Sequence, residues 1–165
     1  MIRPMIILSF AFCGSAGWAN KIDTKLYSKK LQRTMAFIDI QKPLNEISKE
    51  AVDMVDMSIP ILEAFKNVEM DCKVYIDEVL KVASKLSQMP LSKIENDYHA
   101  DKALPKASPI CHHAKDLLVH PATVIALGKA SQGVADKAVY AKMRAELVEL
   151  STHLAVVEKA LTGKK

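Results

Sequence analysis

The densest group of residues able to do chemistry is Cys111-His112-His113, which is followed along the chain by Asp116 and His120. A regular helix turns about 100° per residue and would place His113, Asp116 and His120 within a sector of about 60°. Two imidazoles and a carboxylate on one face are ligands that first-row transition metals accept. The stretch therefore predicts a Zn or Cu site, with His112 or Cys111 as further ligands.

The same stretch also has a purely structural interpretation. His120 precedes Pro121, and a residue before proline is biased away from helical angles. His120 could therefore cap a bend in the chain, while His112 and His113 would be polar residues near a helix start.

Cys111 has two interpretations of its own. It lies near the start of a helix predicted from Ser108 as N-cap and Pro109 as first residue, where free amides favour a thiolate. Cys72 is the only other cysteine beyond residue 19, and two cysteines in an oxidising compartment usually pair. We therefore predict a Cys72–Cys111 disulfide. It would close a loop of about forty residues, contribute about 4 kcal/mol and leave only the histidines as ligands.

Haem is a further candidate cofactor, because small exported helical proteins include cytochromes. Covalent attachment needs Cys-x-x-Cys-His, and Ser108 stands where the first cysteine would be, so c-type haem is excluded. A b-type haem needs only a His and a Met from facing helices and remains an alternative. The Glu-x-x-His motif of di-iron bundles does not occur in the sequence.

Two further carboxylate–histidine pairs have a spacing of four residues. Glu149 and His153 on the last predicted helix are most simply a surface contact between successive turns, with metal binding as the alternative. Glu95 and His99 belong to a polar connector, which could lie near His113 or be a solvated loop.

The sequence contains no nucleophile elbow and no glycine loop for phosphate, so we predict that the protein is not an enzyme.

The elements that must position these residues are helices. Apolar residues recur at alternating steps of three and four from 44 to 86 and again from 140 to 161, as in helices packed along a neighbour. A weaker helix covers 27–38, and another runs from Pro109 to about Gly133 with an apolar block that predicts a central position. The chain has only 5 glycines, too few for the turns of a β-rich fold.

Prolines interrupt two of the predicted helices. The apolar row keeps its phase across Pro60, which favours one kinked helix over 44–88, although its length of about 67 Å favours a break. At His120-Pro121 the helix is expected to bend or restart. The predicted fold is all-α, an antiparallel bundle of four main helices with the second kinked near Pro60.

The first residues resemble an export signal. Arg3 precedes an apolar run from Met5 to Cys13, and Gly17-Trp18-Ala19 fits a cleavage site before Asn20. The run is much shorter than the roughly 20 residues that span a bilayer. We therefore predict a signal peptide over 1–19, one domain over 20–165, a periplasmic or secreted location and no transmembrane segment after cleavage.

Charge and composition argue against some partners of the protein and favour others. The 23 basic and 19 acidic residues are interspersed, and aromatic residues are few, so nucleic acid is not an expected partner. The long apolar rows favour an exported, non-catalytic accessory or binding protein that engages a protein partner or small ligand through its helix faces. The alternatives are a periplasmic transition-metal-binding protein and a bundle that binds b-type haem.

Overall fold

A computed structural model describes residues 23–163, and this part of the chain is helical without a strand, as predicted. Six α-helices share one hydrophobic core: α1 (Thr24–Asp39), α2 (Leu44–Val68), α3 (Lys73–Leu86), α4 (Leu91–Ile94), α5 (Pro109–Ala130) and α6 (Lys137–Thr162). The predicted signal peptide lies outside the described residues. Within them, no helix combines the length and apolar character needed to cross a bilayer.

Helix α5 forms the centre of the fold. Every residue from Ala114 to Leu127 is buried, and the helix packs chiefly against α2 and α6. A helix that is apolar around its whole circumference must be covered on all sides. The central position predicted from the block Val124–Leu127 is therefore confirmed. Any polar side chain on this part of α5 lies inside the protein.

The predicted continuous helix over 44–88 is wrong. Helix α2 passes through Pro60 and ends at Val68, and a 3-10 turn at Met70–Cys72 leads into α3. The carbonyl of Asp56 that Pro60 leaves without a helical donor belongs to an exposed residue, so water can reach it. The apolar row could not reveal the break at Glu69, because α2 and α3 keep the same face toward the core.

Helix α5 passes through Pro121 without restarting. Because proline has no N–H, the carbonyl of Leu117 loses its helical donor in the middle of the core. The hydroxyl of Tyr27 donates a hydrogen bond of 2.5 Å to this carbonyl. Burial raises the pKa of Tyr27 well above its usual value, which keeps the hydroxyl protonated. Helix α1 is thereby fixed to α5 where the proline interrupts its hydrogen bonds.

The connector between α3 and α5 is not a solvated loop. Helix α4 continues directly into a π-helical turn at Glu95–His99, and Ile94 and Tyr98 are buried beneath it. The buried ammonium of Lys115 donates to the carbonyls of Tyr98 and His99 at 2.7 and 3.3 Å. It donates a third hydrogen bond, of 3.0 Å, to Asp101. The connector is therefore held against α5, and its residues Glu95 and His99 are partly buried.

Candidate metal centre

Two side chains of α5 and one of α6 form a compact group in the core. Asp116 and His120 are separated by one turn of α5, and His153 approaches them from α6. One ligand atom from each of the three side chains lies within 4.8 Å of the other two. Asp116 is 6% exposed and His120 is fully buried. We call Asp116, His120 and His153 the inner group.

The imidazole of His120 has one nitrogen bonded and one nitrogen without a partner. Its Nδ1 lies 2.7 Å from Oε2 of Glu146. A carboxylate accepts, so Nδ1 donates the proton of this hydrogen bond and Nε2 is the ring nitrogen left for another partner. Nε2 is buried and has no hydrogen-bond partner among the described residues. A carboxylate behind the other nitrogen is the usual arrangement for histidines that bind metals.

His153 is held in a similar way. Its Nδ1 lies 2.7 Å from Nδ1 of His113, and its Nε2 lies 3.5 Å from Oδ2 of Asp116. Its ring stacks on that of His120 at 5.1 Å, with 22° between the ring planes. Burial lowers the pKa of His153 to about 4, although the charge of Asp116 opposes the shift. His153 is therefore neutral at pH 7, as a metal ligand must be.

Asp116 presents a buried oxygen that receives no hydrogen bond. Its Oδ1 is only 3.1 Å from Nζ of Lys115, yet it has no hydrogen-bond donor among the described residues. The reason is that an ammonium has three donors, and those of Lys115 are directed to Tyr98, His99 and Asp101. Oδ1 of Asp116 thus has an ion-pair partner but receives no hydrogen bond, whereas the buried Nε2 of His120 has no hydrogen-bond partner among the described residues.

A second group lies beside the first, closer to the surface. Glu95 and His99 of the π-helical turn and Glu146 of α6 have ligand atoms within 4.8 Å of one another. Nδ1 of His99 lies 3.1 Å from Oε2 of Glu95. The ring of His99 stands edge-on to that of His120, with centroids 4.9 Å apart. We call Glu95, His99 and Glu146 the outer group.

No known protein family, curated protein or solved structure matches this chain. The chemistry of the centre follows from its own ligand atoms. Two imidazole nitrogens and one carboxylate oxygen form the 2-His-1-carboxylate set of non-haem iron, and Zn²⁺ accepts the same ligands. Such a set leaves coordination positions open for water or for a further ligand.

The structure brings together only part of the site predicted from the sequence. Asp116 and His120 meet as predicted, and His113 lies beside them through its contact with His153. The predicted pairing of Cys111 is present, with its Sγ 2.11 Å from Sγ of Cys72. His112 lies outside both groups. Its Nδ1 is 2.6 Å from Oδ2 of Asp101, and the hydroxyl of Tyr75 donates a hydrogen bond to Oδ1 of the same carboxylate.

Sequence reasoning noticed the pairs Glu149/His153 and Glu95/His99 but did not assign them to the metal site, and it missed Glu146. One signal could have linked the pairs to Asp116 and His120. A carboxylate stands four residues before a histidine three times, at Asp116/His120, Glu149/His153 and Glu95/His99. Each pair lies on a different element and presents both side chains on one side of a turn. The three pairs meet at one place in the fold, and this convergence sets them apart from isolated surface contacts.

Proposed function

We propose that this chain is an exported transition-metal-binding protein that holds a divalent ion at the inner group. Asp116, His120 and His153 supply the ligands, while Glu146 and His113 orient the two imidazoles. The observation that carries the proposal is the convergence of three ligand atoms within 4.8 Å, one of them from His120, whose buried Nε2 has no hydrogen-bond partner among the described residues. Leaving that nitrogen unsatisfied costs about 1–3 kcal/mol, and a cation bound to it would remove that cost.

The available ligand atoms define the class of metal. Cys111 is bonded to Cys72, so no thiolate reaches the inner group. Nitrogen and oxygen ligands suit Zn²⁺, Cu²⁺, Fe²⁺ and Mn²⁺, whereas Cu⁺ prefers sulfur. We therefore propose a divalent first-row ion, with Zn²⁺ or Cu²⁺ bound most tightly.

The cellular setting of this function is proposed from the sequence. The chain would lose residues 1–19 during export and act in the periplasm or outside the cell. Helices α1, α2, α5 and α6 would be the main members of an antiparallel bundle around the metal. An accessory role with a protein partner on the outer helix faces is compatible with a metal at this position.

Metal analysis and titration test the proposal. Protein purified without chelators should contain a first-row metal, and Zn²⁺ should bind the metal-free protein in calorimetry. Asp116→Asn keeps the shape of the side chain but removes its charge. We expect it and His120→Asn to weaken Zn²⁺ binding at least about 100-fold, because replacing even a residue that only orients a ligand costs about 10–100-fold.

The matched control is His112→Asn, which removes a histidine of the same helix that lies outside both groups. It should bind Zn²⁺ like the wild type, and far-ultraviolet circular dichroism should show that all three variants remain folded. Equal affinity in all three variants and the wild type would contradict the proposal. A Soret band in the native sample would instead identify the b-type haem alternative.

A further inference from the structure

The geometry points to a second metal position at the outer group, so that the protein binds two divalent first-row ions side by side. Glu95, His99 and Glu146 would hold the second ion, next to the ion at Asp116, His120 and His153. The inference rests on the proposed function, because it assigns a neighbour to the ion at the inner group.

The two groups can be filled at the same time because they have no side chain in common. A third set of ligand atoms, from His99, His120 and Glu149, lies between them. Because Nδ1 of His120 faces Glu146, only its Nε2 can bind an ion, so His120 cannot serve both an inner ion and this intermediate set. The intermediate set is therefore not a third position that is filled alongside the other two.

Glu146 connects the two positions. Its Oε2 accepts the hydrogen bond from Nδ1 of His120, which orients the imidazole toward the inner ion. The same carboxyl group supplies a ligand atom to the outer group. One side chain would thus orient an inner ligand and bind the outer ion, so the two binding events should influence each other.

Charge and burial support two ions of unequal affinity. The two groups hold three carboxylates, those of Asp116, Glu95 and Glu146, and Glu149 adds a fourth beside them, while the ammonium of Lys115 offsets one of these charges. Asp116 and His120 are buried, whereas Glu95, His99 and Glu146 are only partly buried and Glu149 is exposed. Electrostatic attraction is stronger where water is excluded. The inner ion should therefore bind more tightly, and the outer ion should exchange faster with the solvent.

Titration of the full metal-free protein with Zn²⁺ tests the inference, and Co²⁺ absorption reports the ligand field of each position. We expect two equivalents, one tight and one weak. Glu95→Gln removes one outer ligand without touching the inner group. It should weaken the second equivalent at least about tenfold, as expected for lost metal contacts, and leave the tight one in place. Glu78→Gln, a glutamate on the exposed face of α3, is the matched control.

The outcomes separate this inference from the proposed function. A single equivalent that Asp116→Asn removes and Glu95→Gln leaves unchanged would overturn the second position, while the proposed function would stand. A single equivalent weakened equally by both variants would place one ion across the two groups and also overturn it. Absence of any Zn²⁺ binding would refute the proposed function, and the inference would fail with it.

Discussion

Lys115 determines the chemistry of its neighbour Asp116 although the two do not form a hydrogen bond. The ammonium uses its three donors on the carbonyls of Tyr98 and His99 and on Asp101. It lies 3.1 Å from Oδ1 of Asp116 but donates no hydrogen bond to that oxygen. Oδ1 therefore keeps its lone pairs for a further partner, and this property follows from where the lysine protons are directed.

The depressed pKa of His153 predicts how the stability of the metal-free protein depends on pH. Burial lowers this pKa from 6.5 to about 4, so between these values the unfolded chain takes up a proton that the folded chain does not. The free energy of unfolding should therefore fall as the pH drops from about 6.5 to about 4, and this contribution should be constant above 6.5. Urea denaturation of chelator-treated protein at several pH values measures it.

His153→Gln supplies the comparison, since it removes the titrating imidazole and keeps a polar side chain. The slope of stability against pH between 4 and 6.5 should be smaller in the variant than in the wild type. The same slope in both proteins would contradict the assignment of this pH dependence to His153.

At the scale of elements, two helix-interior prolines are accommodated in different ways. Pro60 leaves without a helical donor the carbonyl of Asp56, an exposed residue that water can reach. Pro121 exposes the carbonyl of Leu117 in the core, where Tyr27 of α1 replaces it. A proline in a central helix thus becomes the attachment point of another helix. Sequence reasoning expected a bend or restart at Pro121, because it could not foresee a donor 90 residues away in the chain.

A double-mutant cycle tests this compensation. Tyr27→Phe should destabilise the protein by about 1–3 kcal/mol, because it leaves the buried carbonyl of Leu117 without a donor. In a Pro121→Ala background the amide of residue 121 can donate to that carbonyl, so Tyr27→Phe should cost less there, with a coupling of about 1–2 kcal/mol. Urea denaturation gives the four free energies. An equal cost of Tyr27→Phe in both backgrounds would refute the compensation.

The sequence predicted some elements and missed others for identifiable reasons. Apolar periodicity identified the helical class, the central position of α5 and the start of that helix at Pro109. It missed the break after Val68, since an apolar row that stays in phase does not reveal that the chain turns back there, as the contact of Lys66 in α2 with Asp77 in α3 shows. It also missed the π-helical turn, whose conformation depends on the hydrogen bonds that Lys115 donates from α5.

At the scale of the whole molecule, the candidate site is assembled from three elements that are distant in sequence. The sequence predicted that Asp116 and His120 lie on the same face of α5, because they are four residues apart on one helix. The sequence could not supply His153 or His99, since their positions depend on how α6 and the connector pack against α5. Cys72 and Cys111 were paired correctly because only two cysteines remain beyond residue 19.

The most direct test of the central claim is anomalous diffraction at the zinc edge from crystals of the protein loaded with Zn²⁺. The account predicts a peak inside the fold, about 2.0–2.2 Å from Nε2 of His120, from a nitrogen of His153 and from an oxygen of Asp116. A zinc peak found only at surface carboxylates, with Nε2 of His120 bonded to a water molecule, would contradict it.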